Sequence, residues 1–390
     1  MMSKKTTISS FFIIFLFAVN INAQTSTNGQ TNYVESAVPF LTIAPDSRAG
    51  AMGDAGVATS PDINSMHWNP AKYAFIETSS GISVSYSPWL RNLIGDINLA
   101  YLTGYYRLNQ QQVVATSLRY FSLGEIPFTN SNSELERTVK PNELAFDVAY
   151  SRLFSEKISG AIAFRYIRSD LSQGQIVQNI ETKAGQAFAA DLAVYYNTPL
   201  TISEKNSKLA LGLDISNIGT KITYTDENQK DFLPTNLRLG GALTVDLDQY
   251  NTVTFTTDFN KLLIPTGRYS IDNNNVITRN TSNISVVSGI FQSFSDAPGG
   301  LKEELQEITY SIGGEYWYRK QLAIRGGYFH ESPNKGNRKF FTMGVGLKLN
   351  VIGLDFSYLV SNNNNPLART LRFSISLDFD GLKKTKSIKS

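Results

Sequence analysis

The chain has 390 residues, with 36 Lys and Arg nearly balanced by 33 Asp and Glu. A chain of this length accommodates either two soluble domains or one large barrel. Because no cysteine is present, a disulfide framework and a thiolate metal site are excluded. No dominant basic field is present, so nucleic-acid binding is not expected.

The first 23 residues are predicted to be a secretory signal peptide. Lys4 and Lys5 precede an apolar run, Phe11–Val19, and Ala23 is a small residue suited to the expected cleavage site. The run is too short to cross a bilayer as a helix. The alternative, a buried N-terminal helix, explains neither the charged start nor the small residue at the end.

Residues 24–78 are predicted to form an irregular segment buried inside the rest of the protein. Small residues dominate 44–58, where Asp46 is placed to cap a short helix. Asn69 and Pro70 mark a turn. Because no amphipathic face is found, this segment is expected to pack within a larger structure.

Residues 79–380 follow a period of two that predicts an all-β fold of fourteen antiparallel strands, although the third strand alternates poorly. Most strands exceed the about five or six residues typical of soluble sheets. They match the roughly 9–11 residues that a tilted transmembrane strand needs. The predicted strands are 80–88, 94–107, 111–123, 141–155, 157–168, 185–197, 207–217, 235–247, 252–262, 308–319, 321–330, 338–349, 351–361 and 368–380.

The polar face of these strands carries ionisable residues, which favours a membrane barrel over a soluble sandwich with an apolar inner face. In the last strand, Phe373 and Ile375 alternate with Arg372 and Ser374, and Arg372 is expected to meet an interior acid such as Asp355. The ionisable residues predicted to face the barrel interior are Asp96, Asp147, Arg165, Asp191, Asp214, Arg238, Asp258, Glu315, Arg325, Asp355 and Arg372.

The predicted connections alternate between short and long. Outer-membrane barrels have short periplasmic turns and longer extracellular loops, so both termini are predicted to be periplasmic. The connection 198–207 is an exception, because it is long where a short turn is expected. A tail, 381–390, follows the last strand.

The connection 263–307 is the longest and carries apolar residues at helical spacing on both sides of a Pro-Gly-Gly break. Apolar surface of this extent needs a cover. Either the loop folds back over the barrel mouth, or it docks another protein. The residues predicted to contact a partner are Ile290, Phe291, Phe294, Asp296, Pro298, Gly299, Gly300, Leu301 and Leu305.

No catalytic or metal-binding arrangement is predicted. The two histidines, His67 and His330, are isolated from other ligands. Only His330 with an interior Asp would offer part of a Ser-His-Asp unit, and neither a nucleophile elbow nor a phosphate loop is found. The protein is therefore not expected to be an enzyme, and no cofactor is expected.

Two motifs resemble the PorV family, outer-membrane components of the type IX secretion system of Bacteroidota. The first is Asp46–Ala58 followed by His67–Lys72, and the second is Phe291–Glu304 in the long loop. The resemblance implies a FadL-like transmembrane β-barrel of about fourteen strands with an N-terminal hatch. The residues that it assigns to the hatch motif are Asp46, Arg48, Gly50, Met52, Gly53, Asp54, Gly56, Trp68, Asn69, Pro70 and Ala71.

The resemblance also implies a function in protein secretion. Family members lie in outer-membrane lipid, bind the giant translocon barrel SprA (Sov in some species) and collect cargo proteins by their C-terminal domains. They carry this cargo to the sortase PorU, in an attachment complex with PorQ and PorZ. Two alternatives stay open: a FadL-type transporter of hydrophobic small molecules, and a lipid A deacylase.

Overall fold

The computed structural model describes residues 34–90, 95–129, 134–174, 176–177, 180–225, 230–267, 269–271, 277–279, 283–361 and 370–380. The predicted signal peptide and C-terminal tail lie outside these residues. Fourteen antiparallel strands close into one barrel. The barrel strands, numbered β1 to β14 in chain order, are Ser80–Pro88, Asn98–Arg107, Gln112–Ser122, Asn142–Leu153, Ile158–Asp170, Gly185–Ile202, Lys205–Gly219, Asn236–Asp246, Asn251–Leu262, Thr309–Tyr318, Leu322–His330, Lys339–Leu349, Ile352–Val360 and Leu371–Asp378.

The predicted barrel is confirmed by its closure. Every strand pairs with its neighbours along the chain, and β14 pairs with β1 through registers such as Ser85 opposite Ser374. Closure leaves the barrel without a free sheet edge. A two-layer sandwich is therefore the wrong interpretation of these strands.

Short helices and hairpins complete the described structure. The α-helices α1 to α4 are Ser47–Gly50, Ser65–Trp68, Val286–Gln292 and Leu301–Gln306, and the 3-10 helices are Pro39–Thr42 and Pro70–Phe75. Three hairpins extend the long connections: Ile126–Thr129 with Leu135–Val139, Ile176–Val177 with Ile180–Glu181, and Tyr269–Ile271 with Ile277–Arg279. Within the described part of the chain, no helix is long and apolar enough to cross a membrane.

Side chains alternate between the lumen and the outer surface along the strands. In β14, Phe373 and Ile375 are 43% and 54% exposed, whereas Arg372 and Ser374 are 1% and 3% exposed. The exposed apolar face is the surface that lipid covers in a membrane barrel. The predicted assignment of the two faces of this strand is therefore confirmed.

The third strand, β3, alternates as regularly as the others in the structure. Its inward side chains include Val113, Ala115 and Phe121, which are apolar and obscure the pattern in the sequence. They are apolar because they pack on the N-terminal segment inside the barrel. Phe121, for example, stacks on Phe40 with ring centroids 6.3 Å apart.

The turns at one end of the barrel are all short, and the predicted long connection 198–207 is wrong. β6 and β7 are joined by Ser203 and Glu204 alone, both in the left-handed region with φ of 48° and 66°. This backbone suits a two-residue hairpin. The strand ends here carry polar, exposed residues, so the apolar alternation that identifies the other strands is missing.

The segment before β1 runs through the barrel lumen from one mouth to the other; we call residues 34–78 the hatch. Near its start, the Ala37 N–H donates to the Phe232 carbonyl (2.9 Å) in a long connection. Just after its end, the Ser79 N–H donates to the Asp380 carboxylate (2.6 Å) beside the short turns. The hatch therefore begins at the long-loop mouth and leaves at the short-turn mouth.

Candidate functional site: the hatch and the long loop

The hatch contains a capped helical turn, as predicted at Asp46. The Asp46 carboxylate accepts hydrogen bonds from the Ala49 N–H (3.0 Å) and the Trp68 indole N–H (2.6 Å). Burial raises the pKa of Asp46 to about 6, and the nearby Asp62 carboxylate adds to this rise. One side chain thus caps α1 and joins it to α2.

Arg48 connects the hatch to the barrel wall. Its guanidinium donates to both carboxylate oxygens of Glu315 (2.9 and 2.8 Å) and to Asp62 (2.8 Å). Glu315 also accepts from Arg325 (2.7 Å), which donates to Asp355 (2.6 Å). Removing one member would leave a buried charge without compensation, which is strongly destabilising.

The prediction that Arg372 meets Asp355 is wrong. Arg325 pairs with Asp355, whereas Arg372 lies 3.3 Å from the Asp54 carboxylate and donates to the Gly50 carbonyl (3.3 Å). Strand alternation places Arg372 and Asp355 correctly on the lumen face. The acid that pairs with Arg372 comes from the hatch. Strand alternation cannot predict this pairing, because the hatch is not one of the strands.

A tight hydrogen-bonded turn of the hatch is fixed to β9. The Gly56 and Val57 N–H groups donate to one oxygen of Asp258 (2.6 and 2.9 Å). Lys72, which is fully buried, donates to the Gly56 carbonyl (2.9 Å) and the Thr59 hydroxyl (3.0 Å). Burial lowers the pKa of Lys72. This turn is therefore tied both to the barrel wall and to the later part of the hatch.

Lumen-facing glycines let the hatch backbone lie directly against the wall. At Gly327, an added Cβ would lie 2.1 Å from the Met52 carbonyl carbon and 2.2 Å from the Gly53 nitrogen. Gly53 adopts a left-handed φ of 70°, which favours glycine. Five glycines of the barrel wall would each place an added Cβ within 2.6 Å of a hatch atom, and we call them the lumen glycines. They are Gly212, Gly240, Gly313, Gly327 and Gly344.

Asn69 organises the Asn-Pro-Ala motif and is fully buried. Its amide donates to the carbonyls of Val57 (3.1 Å) and Val194 (3.0 Å), the latter in β6. Its side-chain oxygen accepts from the Ala71 N–H (3.0 Å), which caps the 3-10 helix that begins at Pro70. The motif therefore holds two parts of the hatch and the wall together.

His67 lies between two arginines. Its Nδ1 is 2.7 Å from the Arg119 guanidinium, and its Nε2 is 3.3 Å from that of Arg238, which also donates to the His67 carbonyl. Burial lowers the pKa of His67 well below its usual range, and both cations add to the effect. Among the described residues, no group of three or more metal-ligating side chains is found. His330 stacks on Tyr310 with centroids 4.6 Å apart.

A cavity of about 950 Å³ lies between the hatch and the long connections. The hatch contributes Ala44, Asp54 and Trp68 to its lining, and the barrel end contributes aromatic residues such as Trp89 and Phe340. The cavity is thus at the long-loop mouth and has hatch residues on its inner side. We call it the mouth cavity.

The long loop presents its apolar side chains outward. Val287, Phe291 and Phe294, on or just after α3, are 63%, 72% and 49% exposed. Leu301 and Leu305, on α4, are 73% and 60% exposed. The predicted helical spacing is confirmed. The barrel mouth does not cover these side chains. The apolar surface of the loop is therefore left exposed to solvent.

The opposite face of the loop is polar and is anchored to the barrel. Lys261 in β9 donates to Glu304 (3.0 Å) and Glu307 (2.5 Å). Lys335 donates to Glu303 (2.7 Å) and Glu307 (2.9 Å). We call these five residues the loop anchor. The anchor holds α4 in place while its apolar residues face away from the barrel.

The turn Pro298–Gly300 between α3 and α4 is also fixed. Gly300 adopts a left-handed φ of 65°. The Asp296 carboxylate accepts from the Thr266 N–H (2.9 Å), and burial raises the pKa of Asp296. Ile290 is half-buried, unlike the other apolar residues predicted for contact. The part of the loop around α3 and α4 therefore has a defined structure that its hydrogen bonds to the barrel hold in place.

Two groups of residues that build the site were not predicted. The sequence does mark the lumen glycines, because each stands at an inward position of an alternating strand. No sequence pattern marks Lys261 and Lys335 as anchors. Their partners lie more than 25 residues away in sequence and contact them only when the loop folds onto the barrel.

The fold and site define an outer-membrane barrel that is closed by an N-terminal hatch and carries an anchored long loop. The family model for type IX secretion system protein PorV matches residues 26–269, more than half of the chain. The chain belongs to the PorV family. The matched range includes the hatch and ends before α3 and α4. No curated protein sequence matches the chain.

Several solved structures share the fold. A TodX monoaromatic hydrocarbon channel mutant is 11% identical, with 85% of this chain and 96% of that chain covered and a TM-score of 0.51. The Ralstonia pickettii toluene transporter TbuX is 11% identical (85% and 97% covered, TM-score 0.46). A Pseudomonas aeruginosa FadL homologue is 10% identical (86% and 99% covered, TM-score 0.44). At these identities the likeness concerns the fold alone, which is the expected FadL-like barrel.

Proposed function

We propose that this protein is a shuttle of the type IX secretion system. It binds the SprA translocon, accepts cargo through the cargo's C-terminal domain, and delivers it to PorU in the attachment complex with PorQ and PorZ. The observation that carries the proposal is the anchored loop with its exposed apolar side chains. The long loops face outward and the short turns face the periplasm.

The exposed residues have the chemistry of a protein-binding surface. Phe291 and Leu301 are each more than 70% exposed. Large apolar side chains left in water mark interaction sites, and aromatic anchors supply much of the binding energy in many interfaces. Because the loop anchor already orders α4, a partner does not bear the entropic cost of ordering it.

The closed lumen favours a binding role over conduction. Hatch contacts to Asp258, Glu315 and Val194 reach three different parts of the wall. Transport of a small molecule through the lumen would require these contacts to break. A deacylase role would need a nucleophile and a base; the candidate His330 stacks on the Tyr310 ring with centroids 4.6 Å apart, and its Nδ1 lies 3.3 Å from the Tyr328 hydroxyl. The proposed role is therefore non-enzymatic.

The test is a pull-down with a matched pair of variants. Phe291→Ser combined with Leu301→Ser removes two exposed apolar anchors, and Lys302→Ser changes an exposed polar neighbour on the same helix. Tagged protein is purified from detergent-solubilised outer membranes, and SprA, PorU and cargo are quantified by mass spectrometry. We expect at least a tenfold loss of SprA in the first variant and none in the second.

Secretion itself gives the second readout. A deletion strain should retain type IX cargo inside the cell, and the Phe291 and Leu301 variant should fail to restore its release. Normal cargo release in the deletion strain would contradict the proposal. Loss of hydrophobic small-molecule uptake with normal secretion would favour the transporter alternative, and altered lipid A acylation would favour the deacylase.

A further inference from the structure

One part of the hatch, residues 48–57, is held by the four consecutive strands β9 to β12; we call it the hatch turn. In β9, the Asp258 carboxylate accepts a hydrogen bond from the Gly56 N–H (2.6 Å). In β10, the Glu315 carboxylate accepts from the Arg48 guanidinium (2.8 Å). These contacts fix the hatch turn to one side of the barrel wall.

The hairpin of β11 and β12 contacts the hatch turn at its backbone. The Gly53 N–H donates to the Thr342 hydroxyl (2.8 Å), and this hydroxyl donates to the Ala51 carbonyl (2.9 Å). A Cβ at Gly327 would lie 2.1 Å from the Met52 carbonyl carbon. Because the wall glycine brings the two backbones into direct contact, a shift of this hairpin must also shift the hatch turn.

The loop anchor attaches α4 to the ends of the same strands. Lys261 follows Asp258 by three residues in β9 and donates to Glu304 (3.0 Å). Lys335 lies in the connection between β11 and β12 and donates to Glu307 (2.9 Å). The strands that hold the hatch turn therefore also hold the helix that presents Leu301 and Leu305.

The connection between β11 and β12, residues 331–338, is stabilised by its own hydrogen bonds. The Glu331 carboxylate accepts from the Arg338 guanidinium (2.8 and 2.7 Å), and the Glu331 N–H donates to the Arg338 carbonyl (2.9 Å). The Lys335 N–H donates to the Ser332 carbonyl (3.0 Å). Lys335 is buried, so separating it from its glutamates is costly. A displacement of α4 should therefore move this connection and the strand ends with it.

We propose that the apolar surface of α3 and α4 is coupled to the hatch turn through β9 to β12. A protein that docks on the loop then changes the equilibrium between a seated and a displaced hatch turn. Such coupling runs through contiguous packed and hydrogen-bonded contacts, and it is reciprocal, so displacement of the hatch turn changes the affinity of the loop for its partner. The identity of that partner rests on the proposed function, whereas the coupling does not.

The later part of the hatch, residues 69–75, lies outside this path. The Ala71 carbonyl accepts from the Ser159 hydroxyl in β5 (2.6 Å), and the Asn69 amide donates to the Val194 carbonyl in β6 (3.0 Å). These two strands are not among those that bear the loop anchor. A disturbance of residues 69–75 should therefore leave α4 unchanged.

Hydrogen–deuterium exchange of the full-length protein in detergent micelles, read by mass spectrometry, tests the coupling. Thr342→Val removes the hydroxyl that bonds to Gly53 and Ala51 and keeps a side chain of similar shape. Lys335→Met removes the anchor charge at the other end of the path. Ser159→Ala is the matched control, because it also removes a lumen hydroxyl that bonds to the hatch.

We expect Thr342→Val to speed exchange in the hatch turn about tenfold, the effect of one unpaired buried donor. Exchange in α4 should rise with it by about fivefold, at the lower end of usual coupling strengths. Lys335→Met should speed exchange in α4 and in the hatch turn as well. Ser159→Ala should speed exchange in residues 69–75 and leave α4 unchanged.

Three results would overturn the proposal. The first is faster exchange at one end alone in Thr342→Val or Lys335→Met, and the second is no change in either variant. The third is faster exchange of α4 in Ser159→Ala, which would indicate general loosening of the barrel. If Thr342→Val does not assemble, Gly327→Ala disturbs the same hatch turn and takes its place. None of these readouts involves SprA, so the proposed function and the coupling can fail independently.

Discussion

Gly326 and Gly327 are neighbours in β11, yet only one of them touches the hatch. A Cβ at Gly327 would overlap the backbone of Met52 and Gly53, whereas at Gly326 the nearest atom would be the Thr342 carbonyl oxygen at 3.8 Å. The two positions differ because successive residues of a strand face opposite sides. The two glycines therefore form a matched pair of sites for testing whether close backbone contact with the wall holds the hatch in place.

We expect Gly327→Ala to displace the hatch and Gly326→Ala to leave it in place. Overpacking at a close backbone contact costs about 1–3 kcal/mol, so the stability of the hatch should fall by that order. Ion conductance in planar bilayers and the unfolding midpoint followed by tryptophan fluorescence would report the change. Equal behaviour of the two variants would show that close approach at Gly327 does not seat the hatch.

Strand alternation predicts the face on which a side chain lies better than it predicts the residue with which that side chain pairs. Period-two alternation assigns Arg372 and Asp355 to the lumen correctly. It cannot pair them, because Asp54 comes from a segment more than 300 residues away and meets Arg372 only after the barrel has closed. The sequence therefore predicts which charged residues face the lumen. It does not predict which of them pair, because the hatch supplies some of the partners.

Elements of the long loop combine a buried polar face with an exposed apolar one. This reverses the usual pattern of a surface helix, in which the apolar stripe faces the core. The loop anchor replaces apolar packing as the attachment to the barrel. Lys335 and Glu307 are both buried, so their contact is shielded from water.

We expect Lys335→Ala to release α4 without unfolding the barrel. Removal of one partner from a buried ion pair costs about 3–5 kcal/mol. Limited proteolysis should cut the loop markedly faster, and SprA should be lost from pull-downs, while the barrel keeps its heat-dependent gel mobility. Lys302→Ala, on the exposed side of the same helix, should change neither. Unchanged proteolysis in the Lys335 variant would show that the anchor is not needed.

Strand number and strand order follow from the sequence, because lipid and lumen impose opposite chemistry on alternate residues. Strand ends follow less well. β6 and β7 continue past the apolar band to Ser203 and Glu204, where both faces meet water and alternation is lost. β3 was obscured for a different reason, since hatch packing places the apolar residues Val113, Ala115 and Phe121 on its lumen face beside Ser117 and Arg119. The loop anchor gives no periodic signal at all.

The hatch that closes the barrel carries buried ionisable groups, so we expect the stability of the closed state to depend on pH. The pKa of His67 is held well below its usual range by burial and then by Arg119 and Arg238. Below about pH 6.5 the unfolded histidine takes up a proton that the folded one refuses. The stability contributed by neutral His67 is therefore present above that pH and is lost as the pH falls.

We expect His67 to make the hatch less stable at pH 5 than at pH 7.5, because the folded state disfavours its protonation. In His67→Gln this loss should disappear. The pKa of Asp46, raised to about 6 by burial, acts in the opposite direction, because its contribution grows as the pH falls through 6. The variant should then gain hatch stability on acidification. Hatch unfolding or conductance at the two pH values would show the reversal, and an identical pH response in both proteins would contradict it.

The hatch also touches the seam where the barrel closes. The Ser47 N–H donates to the Ser374 hydroxyl (2.9 Å), which lies 2.7 Å from the Ser85 hydroxyl across the β1 and β14 pair. The two strands of this seam are nearly 300 residues apart in sequence, so their pairing carries a larger loop-closure entropy than the pairing of strands adjacent in the chain. Because the hatch contributes a hydrogen bond at this seam, we expect removal of the Ser374 hydroxyl to weaken both the seating of the hatch and the pairing of the two strands.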